Sequence, residues 1–585
     1  MTDHFEVLSR DGAARLGELR LADPLTTPTL VDDVVADAGS LWPADREIPE
    51  GDDDRLTVLP HRAFPAGTDP RVQESFVPDY PDVPFPSAAV VTADTAEAVA
   101  ESGCDAYVLS TATGVVGHAR AFRDEVVAVR EALPADTALY LPGVATARNV
   151  ALLAYAGVDL VDAKRARIRG SRGFYQTPDE EYFLEDLDEL PCACPACQVG
   201  RAEFDRAACA EHNVNALAAQ LRTVRRRIRD GRLRDYVEAQ ARHDQWLTAA
   251  FRRFDQEYGY IETRTPVIRN VELTSASEDT LNRVEIQRFA DRVTSRYRNR
   301  FSNPLVLVPC SARKPYSESQ SHGQFRDAIH WRAHLVSVTS PIGVVPQELE
   351  LTYPAQHYDS AVTGHWSEDE VSFVSRVLGQ YLDRNDYPNV IAHVPEEYRP
   401  IVERAAEGRD IDPTYTVVDH PTADESLANL RDALDGDLKY GKRERHHNTV
   451  RAIADYQFGD GAGDDLFDDI QATGRYPKLQ VRDEEGDQLA ALVPQYGVLS
   501  LTLAGARQWV ESDVPTRRVE IDGFVPHGSV LAPGVVDADR SIRVGDEVVI
   551  EGPKAFAVGR AEMHGAEMAE STRGIAVEVR HVEER

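Results

Sequence analysis

Three cysteines stand within six residues in PCACPACQVG, at Cys192, Cys194 and Cys197, and His212 follows fifteen positions later in AACAEHN. No other stretch restricts the fold so tightly. Thiolates at that spacing fill three corners of a tetrahedron and a neutral imidazole fills the fourth, so the chain on either side must converge on one point. Soft ligands packed this closely favour zinc in a reducing compartment. Four protein ligands leave no open position, so the ion is expected to be structural. Cys209 is an alternative to His212 as the fourth ligand. Six cysteines in 585 residues do not make a disulfide framework. The opening MTDHFEVLSRDG has neither a basic nor an apolar signal region, and no apolar run reaches the roughly 18–20 residues that span a bilayer. The expected location is the cytoplasm, with no membrane partner.

Charge enters the argument through lysine. Asp and Glu number 98 against 64 Lys and Arg, a net charge of −34, and only six of the basic residues are lysines. Such a surface resembles that of proteins from salt-accumulating halophiles, where ions screen charge over a few ångströms. Read as a solvent adaptation, the acidity does not count against RNA binding, which it otherwise would. Concentrated basic segments then stand out: RTVRRRIRDGRLR over residues 222–234 and KYGKRERHH over 439–447. Either could contact an RNA backbone, or could be a solvated face of Arg–Asp pairs.

At 585 residues the chain exceeds what one core supports. Residues 1–245 alternate short apolar strands (AYVLST, TALYLPGV, VDLVD) with helical stretches (120–132 and ATARNVALLAYAG), the signature of a parallel sheet, plausibly a barrel. Residues 246–420 form a second α/β unit with strands in PLVLVPCS, LVSVTSPIGVVP and NVIAHVP. Residues 421–512 read as a small α+β module, and 513–585 as short strands with turns at GFVPHGS, APGV and VGDE, a small β-barrel. The expected class is therefore multidomain α/β: a TIM-barrel-like domain carrying the zinc site, a second parallel α/β domain, a small α+β module and a C-terminal β-barrel.

In the second unit, the apolar strand in LVLVPCSARKPYSESQSH runs into a polar loop bearing Cys310, Ser311, Lys314, Tyr316 and His322. Ligands of a parallel sheet bind outside the carboxyl ends of its strands, and Cys310 sits where this strand should stop. The segment SPIGVVPQELELTYPAQHYD offers Glu348, Glu350, Tyr353, His357 and Asp359, expected at the same edge. Cys310 is the candidate nucleophile, with Lys314 or His322 able to lower its pKa. Glu348 and Asp359 are candidates to hold an ammonium group or act as base. Ser311, Tyr316 and Tyr353 are candidate substrate-binding groups. The alternative for Cys310 is a small strand-end residue that packs.

The cysteine–histidine cluster, together with the opening FEVLSRDGAARLGEL, the segment LPGVATARNVALLAYAGVDLVD and the helix EHNVNALAAQLRTVRRRIRDGRLRDY, resembles the tRNA-guanine transglycosylases in three separated places, in order. The resemblance places Asp162 at that family's nucleophile. The family's Asp-Ser-Gly-Gly-Phe base-binding motif is absent, its glycine-rich stretch survives only as STATGVVGH, and AKRARIRG replaces its Pro-Thr-Arg motif. A domain kept for holding tRNA, with base exchange lost, is the expectation. The C-terminal VLAPGV, GDEV and GIAVEVRH resemble a PUA domain, which implies RNA binding by shape.

The order of these parts, with a PCSxxKPY loop between them, is similar to archaeosine synthase subunit alpha, a paralogue family of the transglycosylases. That resemblance implies action on tRNA carrying 7-cyano-7-deazaguanine in the D-loop. There the nitrile becomes a formamidine with nitrogen from an amino-acid donor, lysine or glutamine. It also implies a radical-SAM partner subunit in the lysine version, and a possible homodimer. The alternatives are a transglycosylase inserting the free deazaguanine and a non-catalytic tRNA-binding scaffold.

Overall fold

A computed structural model describes residues 2–361 and 364–585. The chain forms two compact units: residues 1–266 with 530–543 and 563–576, and residues 267–529 with 544–562 and 577–585. No helix among the described residues is long and apolar enough to cross a membrane.

In the first unit an antiparallel hairpin, Phe5–Asp11 with Ala14–Leu19, precedes a seven-stranded parallel sheet. Its spatial order is Thr29–Leu30, Leu160–Val161, Ala138–Leu141, Ala106–Leu109, Ser87–Val91, Leu56–Val58, Val35–Asp37. The two edge strands are consecutive in sequence. Only residues 31–34 join them, a span of at most about 18 Å, so the sheet must curl into a half-barrel. The central strands SAAVV, AYVL and ALYL are buried throughout, the continuous apolar pattern of strands covered on both faces. A helix expected near 120–132 spans Ala119–Ala132 and turns Phe122, Val126 and Val129 inward. The helix expected over ATARNVALLAYAG contracts to Val150–Tyr155. Its leading residues instead form a turn in which the Asn149 side chain accepts from the Thr146 N–H and donates to the Val144 carbonyl.

In the second unit a five-stranded sheet runs Gly343–Pro346, His334–Thr339, Leu305–Pro309, Val390–Ala392, Thr414–Tyr415. All neighbours are parallel except the first pair. This corrects the expectation of one long strand over LVSVTSPIGVVP. Pro341 cannot donate to a ladder and Gly343 adopts φ +97°, so the chain turns and doubles back. A four-stranded antiparallel sheet follows, Gln471–Arg475, Lys478–Arg482, Gln488–Val493 and Val498–Leu501, beside the helix Lys442–Phe458. Near the C-terminus, Ala555–Ala561 pairs antiparallel with both Glu547–Gly552 and Ile575–Glu584.

Candidate active site and metal centre

Cys192, Cys194, Cys197 and His212 converge, each with a ligand atom within 4.8 Å of the others. The short turn Pro195–Cys197 brings two sulfurs together, Cys194 Sγ 3.6 Å from Cys197 Sγ. His212 lies near the start of the long helix Arg206–Arg229, whose N-cap Asp205 accepts from the Ala208 N–H. Its Nδ1 stands 3.5 Å and 3.3 Å from the sulfurs of Cys194 and Cys197, while Nε2 is 2.8 Å from the Gln176 carbonyl. That second bond fixes the tautomer: Nε2–H donates outward and the Nδ1 lone pair faces the sulfurs. Burial pulls the His212 pKa down, favouring the neutral, ligating form. Tyr175 stacks on the imidazole at 3.7 Å between centroids. The donor set fits a closed four-ligand metal site. Cys209 is buried outside the cluster.

Asp162 ends the strand Leu160–Val161 and is fully buried. Its carboxylate accepts from Tyr140 O–H at 2.9 Å, from Gly143 N–H at 3.0 Å and from Lys164 N–H at 3.1 Å, with Lys164 Nζ 3.5 Å away. Three donors and a nearby ammonium thus hold this buried carboxylate in place. It fastens the end of the strand to the turns that follow it.

The Pro-Cys-Ser loop does lie at the carboxyl end of Leu305–Pro309. Cys310 is half-buried, its Sγ 3.7 Å from the Tyr398 hydroxyl. Lys314 Nζ sits 3.9 Å from the centre of the Tyr358 ring. Burial lowers the Lys314 pKa, against the pull of Cys310, Asp359 and Glu272, so sulfur, amine and the exposed carboxylate of Asp359 share one electrostatic neighbourhood. Tyr316 O–H and Tyr358 O–H meet at 2.6 Å, and Tyr358 also bonds Thr339 Oγ1 at 2.7 Å. Ser319 Oγ donates to Ser311 Oγ at 2.8 Å, closing the loop on itself.

His322 has a different place from the one expected. It is buried, stacks on Tyr316 and bonds the Pro309 carbonyl through Nε2 at 3.1 Å. Burial pushes its pKa down to about 4, so it is a neutral brace for the strand end that carries Cys310, not a cation for the thiolate. Between pH 6.5 and about 4 the unfolded chain takes up a proton here that the folded chain refuses. Stability is therefore complete above pH 6.5 and falls with pH through that window, by up to about 3 kcal/mol. Urea midpoints measured from pH 7 to 4 should fall less steeply for His322→Gln than for the wild type.

The hairpin also reassigns Glu348. Because Gly343–Pro346 runs antiparallel, with Pro346 opposite Val336, the residues after it emerge at the other end of the sheet from Cys310. Glu348 is buried there, bonded to His334 Nε2 at 3.0 Å and Tyr297 O–H at 3.3 Å. Burial acts to raise the Glu348 pKa, but His334 carries it below the ordinary range. Tyr353 is buried in the core. Asp359 stands next to Tyr358, whose hydroxyl bonds Tyr316 and Thr339 and whose ring lies under Lys314. Tyr398, Tyr358 and Thr339 were not singled out from the sequence. A signal for Tyr398 existed, since it follows the neighbouring parallel strand Val390–Ala392 and so falls at the same edge.

Four family models match parts of the chain. Family models match for queuine tRNA-ribosyltransferase over residues 90–245, a domain of unknown function (DUF5591) over 286–434, the patch-forming domain C2 of tRNA-guanine transglycosylase over 448–515 and the PUA domain over 521–582. The chain is 69% identical to an archaeosine synthase of Haloferax volcanii, with all of both chains covered. It is 41% identical to archaeosine synthase subunit alpha of Methanosarcina acetivorans, again over all of both. It is 29% identical to a tRNA-guanine(15) transglycosylase of Methanothermobacter thermautotrophicus, covering 78% of this chain and 68% of that one. With full-length identity of this degree, the chain belongs to the archaeosine synthase family.

Proposed function

We propose that the chain forms archaeosine on tRNA as a nitrogenous-group transferase, adding the amine of an amino-acid donor, lysine or glutamine, to the nitrile of 7-cyano-7-deazaguanine. The observation that carries this reading is that Cys310 ends the strand Leu305–Pro309 with its Sγ 3.7 Å from the Tyr398 hydroxyl, while Lys314 of the same loop lies over the ring of Tyr358, the residue before Asp359. A nitrile carbon is a weak electrophile. The Cys310 thiolate adds to it, the C≡N π pair moves to nitrogen, and a proton from Tyr398 or Lys314 converts that nitrogen to the N–H of a thioimidate. The donor amine then attacks the same carbon, loses a proton to Asp359 or Lys314, and expels the thiolate. An amidine remains and the sulfur is regenerated. Ser311 and Tyr316 shape the loop around these groups. In the lysine version a radical-SAM partner subunit would cleave the adduct.

In this reading the transglycosylase-like part and the PUA segment hold the tRNA in the cytosol, zinc fills the Cys192–Cys194–Cys197–His212 cluster in a structural role, and the chain can act as a dimer. Incubation with nitrile-bearing tRNA and lysine or glutamine, read by mass spectrometry of the nucleosides, tests it; absence of any adduct would favour a scaffold. Base exchange is a separate matter. No labelled guanine should enter unmodified tRNA, since Asp162 is fully buried and held by Tyr140, Gly143 and Lys164. Asp162→Asn should cost about 2 kcal/mol of stability, because buried donors lose their anionic partner; incorporation of guanine by the wild type would overturn this account.

A further inference from the structure

The edge that carries Cys310 also gathers aromatic rings, and they differ in what they leave open. Tyr316 and Tyr358 are buried, their hydroxyls 2.6 Å apart, and the ammonium of Lys314 lies on the face of the Tyr358 ring. Tyr398 is half-buried, with its hydroxyl 3.7 Å from the Cys310 sulfur. Its ring meets the indole of Trp366 at 4.8 Å between centroids and 78° between planes. The indole therefore stands one tyrosine ring away from the sulfur. An edge-to-face contact of this kind uses at most one face of the indole. Trp366 is itself half-buried, so part of the ring system meets solvent.

Local structure fixes where the indole stands. Trp366 precedes Ser367, the N-cap of the helix Glu368–Arg384. Ser367 Oγ accepts from the Glu370 N–H at 3.2 Å, and the Glu370 carboxylate accepts from the Ser367 N–H at 2.9 Å, closing a capping box. The other Glu370 oxygen accepts from Ser340 Oγ at 2.6 Å. Ser340 follows the strand His334–Thr339 just as Cys310 follows its parallel neighbour Leu305–Pro309. The helix start is thereby pinned to the carboxyl edge of the sheet, where Cys310 lies and where ligands of parallel sheets bind. A residue just ahead of an N-cap commonly packs on the first turn of its helix. An aliphatic side chain serves for that packing; a flat indole with an uncommitted face serves for stacking as well.

A base extruded from tRNA exchanges its stacked neighbours for flat side chains of the protein. Here it must also bring its nitrile carbon to Cys310. Tyr316 and Tyr358 fail the first demand, being buried. Trp366 meets both: it has open ring surface, and it is set off from the sulfur by a span that a two-ring base carrying a nitrile covers. We propose that Trp366 is the platform on which the deazaguanine base stacks while its nitrile lies at Cys310. The proposal rests on the reading that the chain acts on a nitrile-bearing base of tRNA, and it adds the residue that holds that base.

The test measures equilibrium binding rather than turnover. It uses the full-length Cys310→Ala protein with the amine donor omitted, so that no covalent bond contributes. Two tRNAs are compared, one bearing 7-cyano-7-deazaguanine and one abasic at the same D-loop position. The nitrile-bearing tRNA should bind roughly 10- to 100-fold more tightly than the abasic one, the effect of one stacked base. Adding Trp366→Ala should close that gap to within about threefold, and Trp366→Phe in its place should restore most of it. A substitution that merely disturbs the fold weakens both tRNAs alike and leaves the gap standing. A gap that survives Trp366→Ala, a gap that Trp366→Phe does not restore, or no gap in the Cys310→Ala protein, overturns the proposal. Failure of the underlying reading shows separately, as the absence of adduct when the wild type is given nitrile-bearing tRNA and donor.

Discussion

Replacing Cys310 with alanine should reduce adduct formation on nitrile-bearing tRNA by roughly 10³-fold or more, while tRNA binding stays within about twofold of wild type. The size follows from the chemistry. Direct addition of an amine to a nitrile keeps its full barrier, whereas sulfur divides the reaction into two lower ones. Cys310→Ser should not recover the rate, because an alcohol is a poor nucleophile without a base to activate it. A quenched time course on the wild type should contain a protein–RNA thioimidate, and Cys310→Ala should contain none. Adduct forming at the wild-type rate in Cys310→Ala would remove the covalent route. It would leave Lys314 and Asp359, with Tyr398, as the groups that move protons. Tyr398→Phe separates these cases, since the hydroxyl at 3.7 Å from the sulfur is lost while the ring remains.

The second large effect concerns the metal proposed for the Cys192–Cys194–Cys197–His212 cluster. Stripping it with a strong chelator, or substituting Cys197→Ser, should cost at least about 5 kcal/mol of stability, a fall in thermal midpoint of about 10–20 °C. The segment around the cluster has a small core of its own, Tyr175, Leu184, Cys197, Phe204 and Cys209, too few side chains to close it without a cross-link. The Cys194 and Cys197 sulfurs and the imidazole, 3.3–3.6 Å apart, with the Cys192 sulfur within 4.8 Å of them, are the cross-link's ends. Elemental analysis of the purified chain should give one zinc per molecule. A chain free of zinc that melts within 2 °C of the chelated sample would dismiss the assignment.

What could be read from residues alone followed chemistry that acts locally. The cysteine–histidine cluster was legible because three of its members fall within six residues. The strands at Ala106–Leu109, Ala138–Leu141 and Leu305–Pro309 were legible because buried parallel strands are continuous apolar runs. The end of the last of these gave the position of Cys310. What stayed hidden depended on chain direction. Pro341 and Gly343 were in view within LVSVTSPIGVVP, yet a reversal there sends Glu348 to the far end of the sheet, while Glu350 comes back to bond the Ser317 N–H of the loop and Asp359 follows the Tyr358 ring on which Lys314 lies. The neutrality of His322 likewise comes from burial under Tyr316, which no spacing rule announces.

The bonds around Asp162 carry an evolutionary consequence. A side chain gripped by a phenol, two backbone amides and an ammonium has become a keystone of the half-barrel. Removing any one of these donors leaves a buried carboxylate short of a partner, so changes at Tyr140, Gly143 or Lys164 should be tolerated only together with a change at Asp162 itself.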